Sequence, residues 1–179
     1  MPGRLNIKTR NGFTLIETLS AIFIILIGLV SGLSLITQTI SFMSLASSKL
    51  VASYLTQEGI EIVRNIRDTN WLEGSGNFWD EGLTGCSTGC IADYKHSYDP
   101  SDQEDPDLPG YSDQFLDVDS AGFYSYDPGT ATKFQRKITI NNGFDSEGIS
   151  ILNVSVVVNW QQAGKTNTVS AQEYLYNWR

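Results

Sequence analysis

Hydrophobic and polar residues divide the chain into a helical N-terminal part and a strand-rich C-terminal part. No charged residue occurs from Thr18 to Ser48, and Leu19–Ile36 is almost entirely apolar. A helix of this length crosses a bilayer, because it rises about 1.5 Å per residue through a hydrocarbon core of about 30 Å. Past Ile40 the pattern becomes amphipathic, which predicts that the helix leaves the membrane and continues to about Asp68.

The amphipathic part of the helix has one apolar stripe suited to packing on a sheet. Its residues are Leu45, Ala52, Leu55, Gly59, Ile62, Val63 and Ile66, whereas Lys49, Glu58, Glu61, Arg64 and Arg67 lie largely off it. The residues after Asp68 and the glycines at 74 and 76 supply stop signals.

The pattern of apolar and polar residues in the C-terminal third predicts β-strands. Lys133–Ile140 and Leu152–Trp160 alternate with period two, and Gln161–Lys165 makes a turn into a returning strand, Thr166–Tyr176. A sheet packed on the amphipathic helix buries the apolar face of each, which predicts an α+β fold with a long irregular insert between helix and sheet.

The start of the chain combines a basic leader with one carboxylate at the mouth of the apolar helix. Arg4, Lys8 and Arg10 precede any acid, so the rule that basic flanks stay in the cytoplasm predicts export of everything after residue ~36. Glu17 is costly there, since a carboxylate within a spanning segment costs about 2.5–3.5 kcal/mol on insertion scales. An ordinary secretory signal or a plain membrane anchor explains the apolar run but not Glu17.

The segment Gly12-Phe-Thr-Leu-Ile-Glu17 resembles the prepilin cleavage and methylation motif of type IV pilins and type II secretion pseudopilins. The resemblance implies that a membrane-embedded aspartyl peptidase cuts after Gly12 on the cytoplasmic side and N-methylates Phe13. It also implies an inner-membrane precursor with an exported C-terminal domain, assembled with other pilin subunits through the N-terminal helix into a pilus or pseudopilus at the cell surface. The C-terminal hairpin resembles more loosely that of the PilV and I-type minor pilins.

These features divide the chain into five predicted segments. They are a leader peptide at 1–12, a transmembrane and filament-core helix at 13–36, its amphipathic continuation at 37–68, an acidic insert at 69–132 and an antiparallel sheet at 133–179. In a packed bundle, Glu17 of an incoming subunit would pair with the Phe13 amine of its neighbour, because opposite charges attract strongly in a low dielectric. The hypothesis is that Glu17 sets the axial register of assembly.

The insert contains two features with chemistry of their own. Cys86 and Cys90 form the only cysteine pair, and in an exported segment a disulfide is the simplest interpretation, with free thiols as the alternative. Dense carboxylates would suit Ca²⁺, but no EF-hand spacing is present and charge runs of this kind are usually solvated or disordered. These carboxylates are Asp99, Asp102, Glu104, Asp105 and Asp107.

Composition argues against nucleic-acid binding and shows no sign of catalysis. The net charge is −8, and removing the three basic residues of the leader makes it −11, which repels phosphates. The one basic cluster, Lys133, Arg136 and Lys137, is interpreted as a solvated strand face. His96 stands alone, and no catalytic spacing or cofactor motif occurs. The alternatives to a filament subunit are a membrane-anchored adhesin or binding module and an exported enzyme.

Overall fold

The computed structural model describes residues 12–73, 78–95 and 108–177. Its long helix α1 and its C-terminal antiparallel sheet confirm the predicted α+β fold. The elements are α1 (Leu15–Glu73), a short 3-10 helix (Thr84–Ser87), β1 (Asp117–Val118), β2 (Tyr124–Ser125), β3 (Thr130–Ala131), β4 (Phe134–Phe144), β5 (Ser150–Gln162) and β6 (Lys165–Tyr176).

The chain falls into two compact units, residues 1–44 and residues 45–179. Within the described part of the first unit, the large apolar side chains from Phe13 to Met43 are 52–82% exposed. Within the described residues, more than half of each of these side chains is therefore uncovered, which is the pattern of a segment that is surrounded by lipid or by another protein.

Hydroxyl groups within the apolar segment are satisfied by the helix itself. Six of them donate a hydrogen bond to a carbonyl three or four residues earlier, at 2.8–3.1 Å. In hydrocarbon no water is present to accept such a bond, so this internal pairing makes the hydroxyls tolerable. The residues are Thr18, Ser20, Ser31, Thr37, Thr39 and Ser41.

The second unit is organised by the sheet β4-β5-β6, in which both pairs of neighbours are antiparallel. The turn between β5 and β6 needs only Ala163 and Gly164, at φ 51° and 73°. Positive φ at both central residues matches the right-handed twist of the flanking strands. This places Gln162 directly opposite Lys165, so the turn is tighter than the five residues predicted for it.

One face of the sheet and the amphipathic stripe of α1 form the core. The stripe residues Ala52, Leu55, Val63 and Ile66 are at most 3% exposed, as are the inward positions of β5 at 152, 154, 156, 158 and 160. Each buried large aliphatic side chain contributes about 1.5–3 kcal/mol relative to its exposed state, which makes this contact the main source of stability.

Helix α1 extends five residues beyond the predicted end at Asp68. The last turn is stabilised by tertiary contacts that local stop signals do not reveal. Asn70 Nδ2 donates to the carbonyl oxygens of Trp79 (3.3 Å) and Glu81 (2.9 Å), and the Trp71 ring stacks on Trp79 with centroids 6.3 Å apart.

The insert contains structure that its composition did not predict. Strands β1, β2 and β3 form a small antiparallel sheet, and Cys90 exchanges backbone hydrogen bonds with Ile138 on β4 at 2.8 and 3.0 Å. On its other side Cys90 bridges Gly110. The insert thus covers the β4 edge of the main sheet with its own backbone.

Two hairpin loops use the same turn chemistry. In Asp119–Phe123 and in Asp145–Ile149, the first carboxylate accepts from the backbone amides two and four residues later, at 2.8–2.9 Å. Gly122 and Gly148 take the fourth position at φ 92° and 79°, where glycine meets no steric penalty. The shared pattern Asp-Ser-x-Gly is visible in the sequence.

The interpretation of Lys133, Arg136 and Lys137 as a solvated strand face is wrong for Arg136, which is 0% exposed. Alternation along β4 places Arg136 on the apolar face with Phe134 and Ile138. Its guanidinium donates to the carbonyl oxygens of Leu55 (3.0 Å) and Ala92, and it pairs with Glu58 Oε2 at 3.2 Å. These partners satisfy most of the hydrogen-bond donors of the guanidinium and supply a countercharge. Without them, burial of the charged group would be very costly.

Gly59 permits the close approach of α1 to β5, and Gly59→Ala tests this. An added Cβ would lie 2.9 Å from Val156 Cγ1 and 3.2 Å from Arg136 Cδ. Overpacking costs about 1–3 kcal/mol, against a gain of about 1 kcal/mol for Ala over Gly in a helix. We expect a net loss of about 1 kcal/mol in the free energy of unfolding, measured by denaturant titration of the full chain in detergent micelles.

The matched control is the exposed helix position Gln57, where Gln57→Ala should be about 1 kcal/mol more stable than Gln57→Gly. A stabilising effect of Gly59→Ala equal to that difference would show that the contact with Val156 does not constrain the helix.

Candidate functional site

The Gly12–Phe13 peptide bond lies just before the helix. Gly12, Phe13 and Thr14 are outside α1, which begins at Leu15. The Phe13 residue is 80% exposed, and no atom lies within 4 Å of a Cβ built on Gly12. An exposed bond outside the helix, with a glycine on one side, is a backbone that a peptidase can bind without unfolding a helix.

Thr14 caps the N-terminus of α1, a role that the motif analysis missed. The Glu17 amide donates to Thr14 O at 3.1 Å and lies 3.4 Å from Thr14 Oγ1, and the Thr18 amide donates to Thr14 O at 3.2 Å. Thr14 and Glu17 have the spacing of a capping box, in which a hydroxyl satisfies the amide three residues on. The spacing Thr-x-x-Glu carried this signal in the sequence.

Glu17 lies in the first turn of α1 and is exposed. Its carboxylate is therefore at the positive end of the helix dipole, where a negative charge is stabilised by about 0.3–1 kcal/mol at a surface. That gain offsets part of the cost of holding a charge near lipid. Phe13, whose amine cleavage would free, lies four residues before Glu17.

Helix α1 is long and apolar enough to span a membrane. Its most apolar window has a mean hydropathy of 2.6, none of it is buried, and it lies near the N-terminus. Length and composition are the basis of this assignment, and a signal sequence would satisfy the same criteria.

Cys86 and Cys90 are joined by a disulfide whose sulfurs are 2.12 Å apart. Both residues are buried, at 0% and 1% exposure, and belong to the core cluster with Leu83 and Ile138. Cys90 is also the residue that pairs with β4. The disulfide therefore fixes the 3-10 helix to the segment at the sheet edge.

The five carboxylates considered for Ca²⁺, Asp99, Asp102, Glu104, Asp105 and Asp107, lie outside the described residues, as does His96. Among residues 12–73, 78–95 and 108–177, no group of three or more His, Cys, Asp or Glu side chains could hold a metal ion. Calcium binding stays a prediction of the sequence.

Several other carboxylates of the insert act as hydrogen-bond acceptors within the fold, among them Asp93, Asp117 and Asp119. The Tyr94 hydroxyl donates to Asp119 Oδ2 at 2.7 Å, which raises the pKa of Tyr94 and lowers that of Asp119. Burial, together with a hydrogen bond to Asp113, raises the pKa of Tyr111 to about 12. These shifts stabilise the protonation states that the groups already have at neutral pH.

Comparison with known families gives one match at the N-terminus. A family model described as the prokaryotic N-terminal methylation motif matches residues 7–33. No curated protein and no solved structure matches the chain. The match includes Gly12, Phe13 and Glu17 and indicates a prepilin-type substrate, which supports a type IV pilin-like, membrane-anchored and structural protein.

Removing the disulfide should destabilise the second unit. Closing a loop of this size contributes about 2 kcal/mol in the chain-entropy model, and truncating two buried sulfurs adds lost packing. We expect the double variant Cys86→Ala/Cys90→Ala to lose at least about 2 kcal/mol in the free energy of unfolding, measured by denaturant titration.

Reductant provides the control for this prediction. It should shift the unfolding midpoint of the native chain towards that of the double variant and leave the variant unchanged. Equal midpoints for the native chain with and without reductant would contradict a stabilising disulfide.

Proposed function

We propose that the chain is a minor type IV pilin or pseudopilin, cleaved after Gly12, methylated on Phe13 and assembled into a filament. The observation that carries this proposal is the coincidence of the methylation-motif match with the exposed Gly12–Phe13 bond at the start of an uncovered apolar helix. A signal sequence or a simple anchor has no need of a carboxylate in the first turn.

The apolar segment is suited to two successive environments, first the lipid bilayer and then the core of a filament. Its large apolar side chains are more than half exposed within the described residues, so lipid would surround them before assembly and neighbouring helices would surround them in a filament. Gly28 and Gly32 meet no atom within 4 Å of a built Cβ, and small residues of this kind allow helix backbones to approach closely. The partners would thus be prepilin peptidase, then other pilin subunits.

Glu17 is the proposed register device of assembly. In a bundle of apolar helices the carboxylate of one subunit would find a single complementary group, the Phe13 amine of its neighbour. Capping by Thr14 fixes the first turn, so the carboxylate has a defined position along the helix. The specific subtype follows more loosely from the C-terminal hairpin β5–β6 and from the absence of proline between residue 3 and residue 99.

Processing is tested by coexpression of the full chain with a prepilin peptidase, followed by intact and N-terminal mass spectrometry. We expect a product that begins at N-methyl-Phe13, because the scissile bond is accessible ahead of the helix. A chain that stays uncut, or that is cut after residue 36, would refute the pilin assignment and favour an anchored or secreted protein.

Assembly is tested by competition between native subunits and Glu17→Ala in sheared filaments. We expect Glu17→Ala to enter at least about tenfold less well, because loss of a desolvated ion pair of about 1.4 kcal/mol or more changes an equilibrium tenfold. Glu17→Asp serves as the control, since it keeps the charge with a shorter reach and should recover part of the incorporation. Equal incorporation of native chain and Glu17→Ala would remove the register role.

A further inference from the structure

Three lysines form a basic group at the end of the main sheet where β4 and β6 begin and β5 ends. Lys133 Nζ donates to Ser48 Oγ at 2.6 Å and to Gln162 Oε1 at 3.4 Å. Gln162 is paired with Lys165 across the β5–β6 turn, and Lys49 is the next helix residue after Ser48. We name Lys49, Lys133 and Lys165 the lysine collar.

The collar lysines differ from most other basic residues of the described chain in lacking a carboxylate partner. Arg64, Arg67, Lys95 and Arg136 each form an ion pair, with Glu173, Asp68, Asp127 and Glu58 respectively. Within the described residues, the collar lysines form none. Lys49 and Lys165 are exposed, so their charges face solvent or an external group. Lys133 is half-buried, and its ammonium group donates to the neutral oxygens of Ser48 and Gln162.

The sequence around the collar is free of acids in a chain that is otherwise strongly acidic. No Asp or Glu occurs at residues 18–57, 128–144 or 148–172, which are the three segments that carry the collar. These three segments therefore carry basic residues and no acid, although the net charge of the whole chain is −8. The acidic residues that the fold brings beside the start of β4 include Asp113 and Asp117, since Gln135 donates to the Asp113 carbonyl oxygen and Asp117 pairs with Ala131.

The length of the uncharged segment places this region near lipid headgroups. The 31 residues from Thr18 to Ser48 correspond to about 46 Å of helix, compared with about 40–45 Å for a bilayer including its headgroups. With Glu17 at the cytoplasmic face, Lys49 emerges at the level of the outer headgroups. Lys133 follows it there, because it contacts the neighbouring Ser48.

We propose that the lysine collar binds the phosphates of anionic phospholipids in the outer leaflet of the membrane that the precursor spans. The proposal rests on the proposed function for its membrane orientation. Long lysine side chains reach phosphate oxygens while their methylenes stay on apolar surface, and each lysine near an anionic surface strengthens binding about fivefold. Before assembly, the collar holds the exported unit against the bilayer surface.

The test is native mass spectrometry of the full chain in detergent micelles, titrated with phosphatidylglycerol or with phosphatidylcholine of the same acyl chains. We expect the first phosphatidylglycerol to bind tighter, whereas net charge alone would predict weaker binding. The variant Lys49→Gln/Lys165→Gln removes the two exposed collar charges and should weaken phosphatidylglycerol binding about 25-fold. The control Lys95→Gln/Lys137→Gln removes two lysines elsewhere and should change it less than twofold.

Each contrary outcome overturns the proposal. Unchanged phosphatidylglycerol binding in the collar variant, or an equal loss in the control, would exclude a collar site. Displacement of the lipid by free glycerol phosphate at matched concentration would indicate a general phosphate site. If the native chain forms dimers in the same spectra, and the collar variant loses these dimers but keeps its lipid binding, the collar is a contact between subunits.

Processing by prepilin peptidase, measured on the same variants, separates this proposal from the proposed function. The collar is remote in sequence from Gly12, so the variants should be cleaved like the native chain. Normal cleavage without a preference for phosphatidylglycerol would refute the lipid-binding proposal and leave the pilin assignment intact. Lipid preference in a chain that is never cleaved would refute the pilin assignment and leave an anchored protein with a collar.

Discussion

The second unit depends on one buried charge, the guanidinium of Arg136. It joins three parts of the fold, since Arg136 belongs to β4 and donates to the Leu55 carbonyl of α1 and the Ala92 carbonyl of the insert. Glu58, one turn after Leu55, supplies the countercharge. A buried ion pair gives little net stability compared with an apolar core, but a guanidinium satisfied by specific carbonyls allows few alternative packings. We interpret Arg136 as the residue that fixes the position of the helix along the sheet.

The neighbouring features follow from that constraint. Gly59 brings the helix backbone close to Val156 and to the aliphatic part of Arg136, which places the Leu55 carbonyl within reach. The disulfide and the pairing of Cys90 with Ile138 hold the segment that contains Ala92. The described part of the insert thereby contributes side chains to the core.

The periodicity of the sequence predicted the helix and the strands, but not the side-chain contacts between elements that are distant in sequence. The apolar run, the amphipathic stripe and the alternation in β4 and β5 each record a local preference, and the α+β fold follows from matching their apolar faces. Arg136 was misassigned because charge composition was given more weight than its position in the alternation. The last turn of α1 depends on Trp79 and Glu81, and no local signal in the helix encodes those partners.

The candidate site could be predicted from the sequence because its residues are close together along the chain. Gly12, Phe13 and Glu17 lie within six consecutive residues, and the Thr14 cap could have been inferred from the same spacing. The collar could not, because its lysines come from three distant segments that only the antiparallel register and the Ser48 contact bring together.

The internally bonded hydroxyls of the apolar segment have a consequence for transfer between environments. If the chain is assembled as proposed, a subunit that leaves the bilayer for a filament would exchange lipid chains for protein side chains. Thr18, Ser31 and Thr39 keep their acceptors throughout, because those acceptors belong to the same helix. The exchange would therefore break no hydrogen bond of these groups, and no water would be needed to replace one.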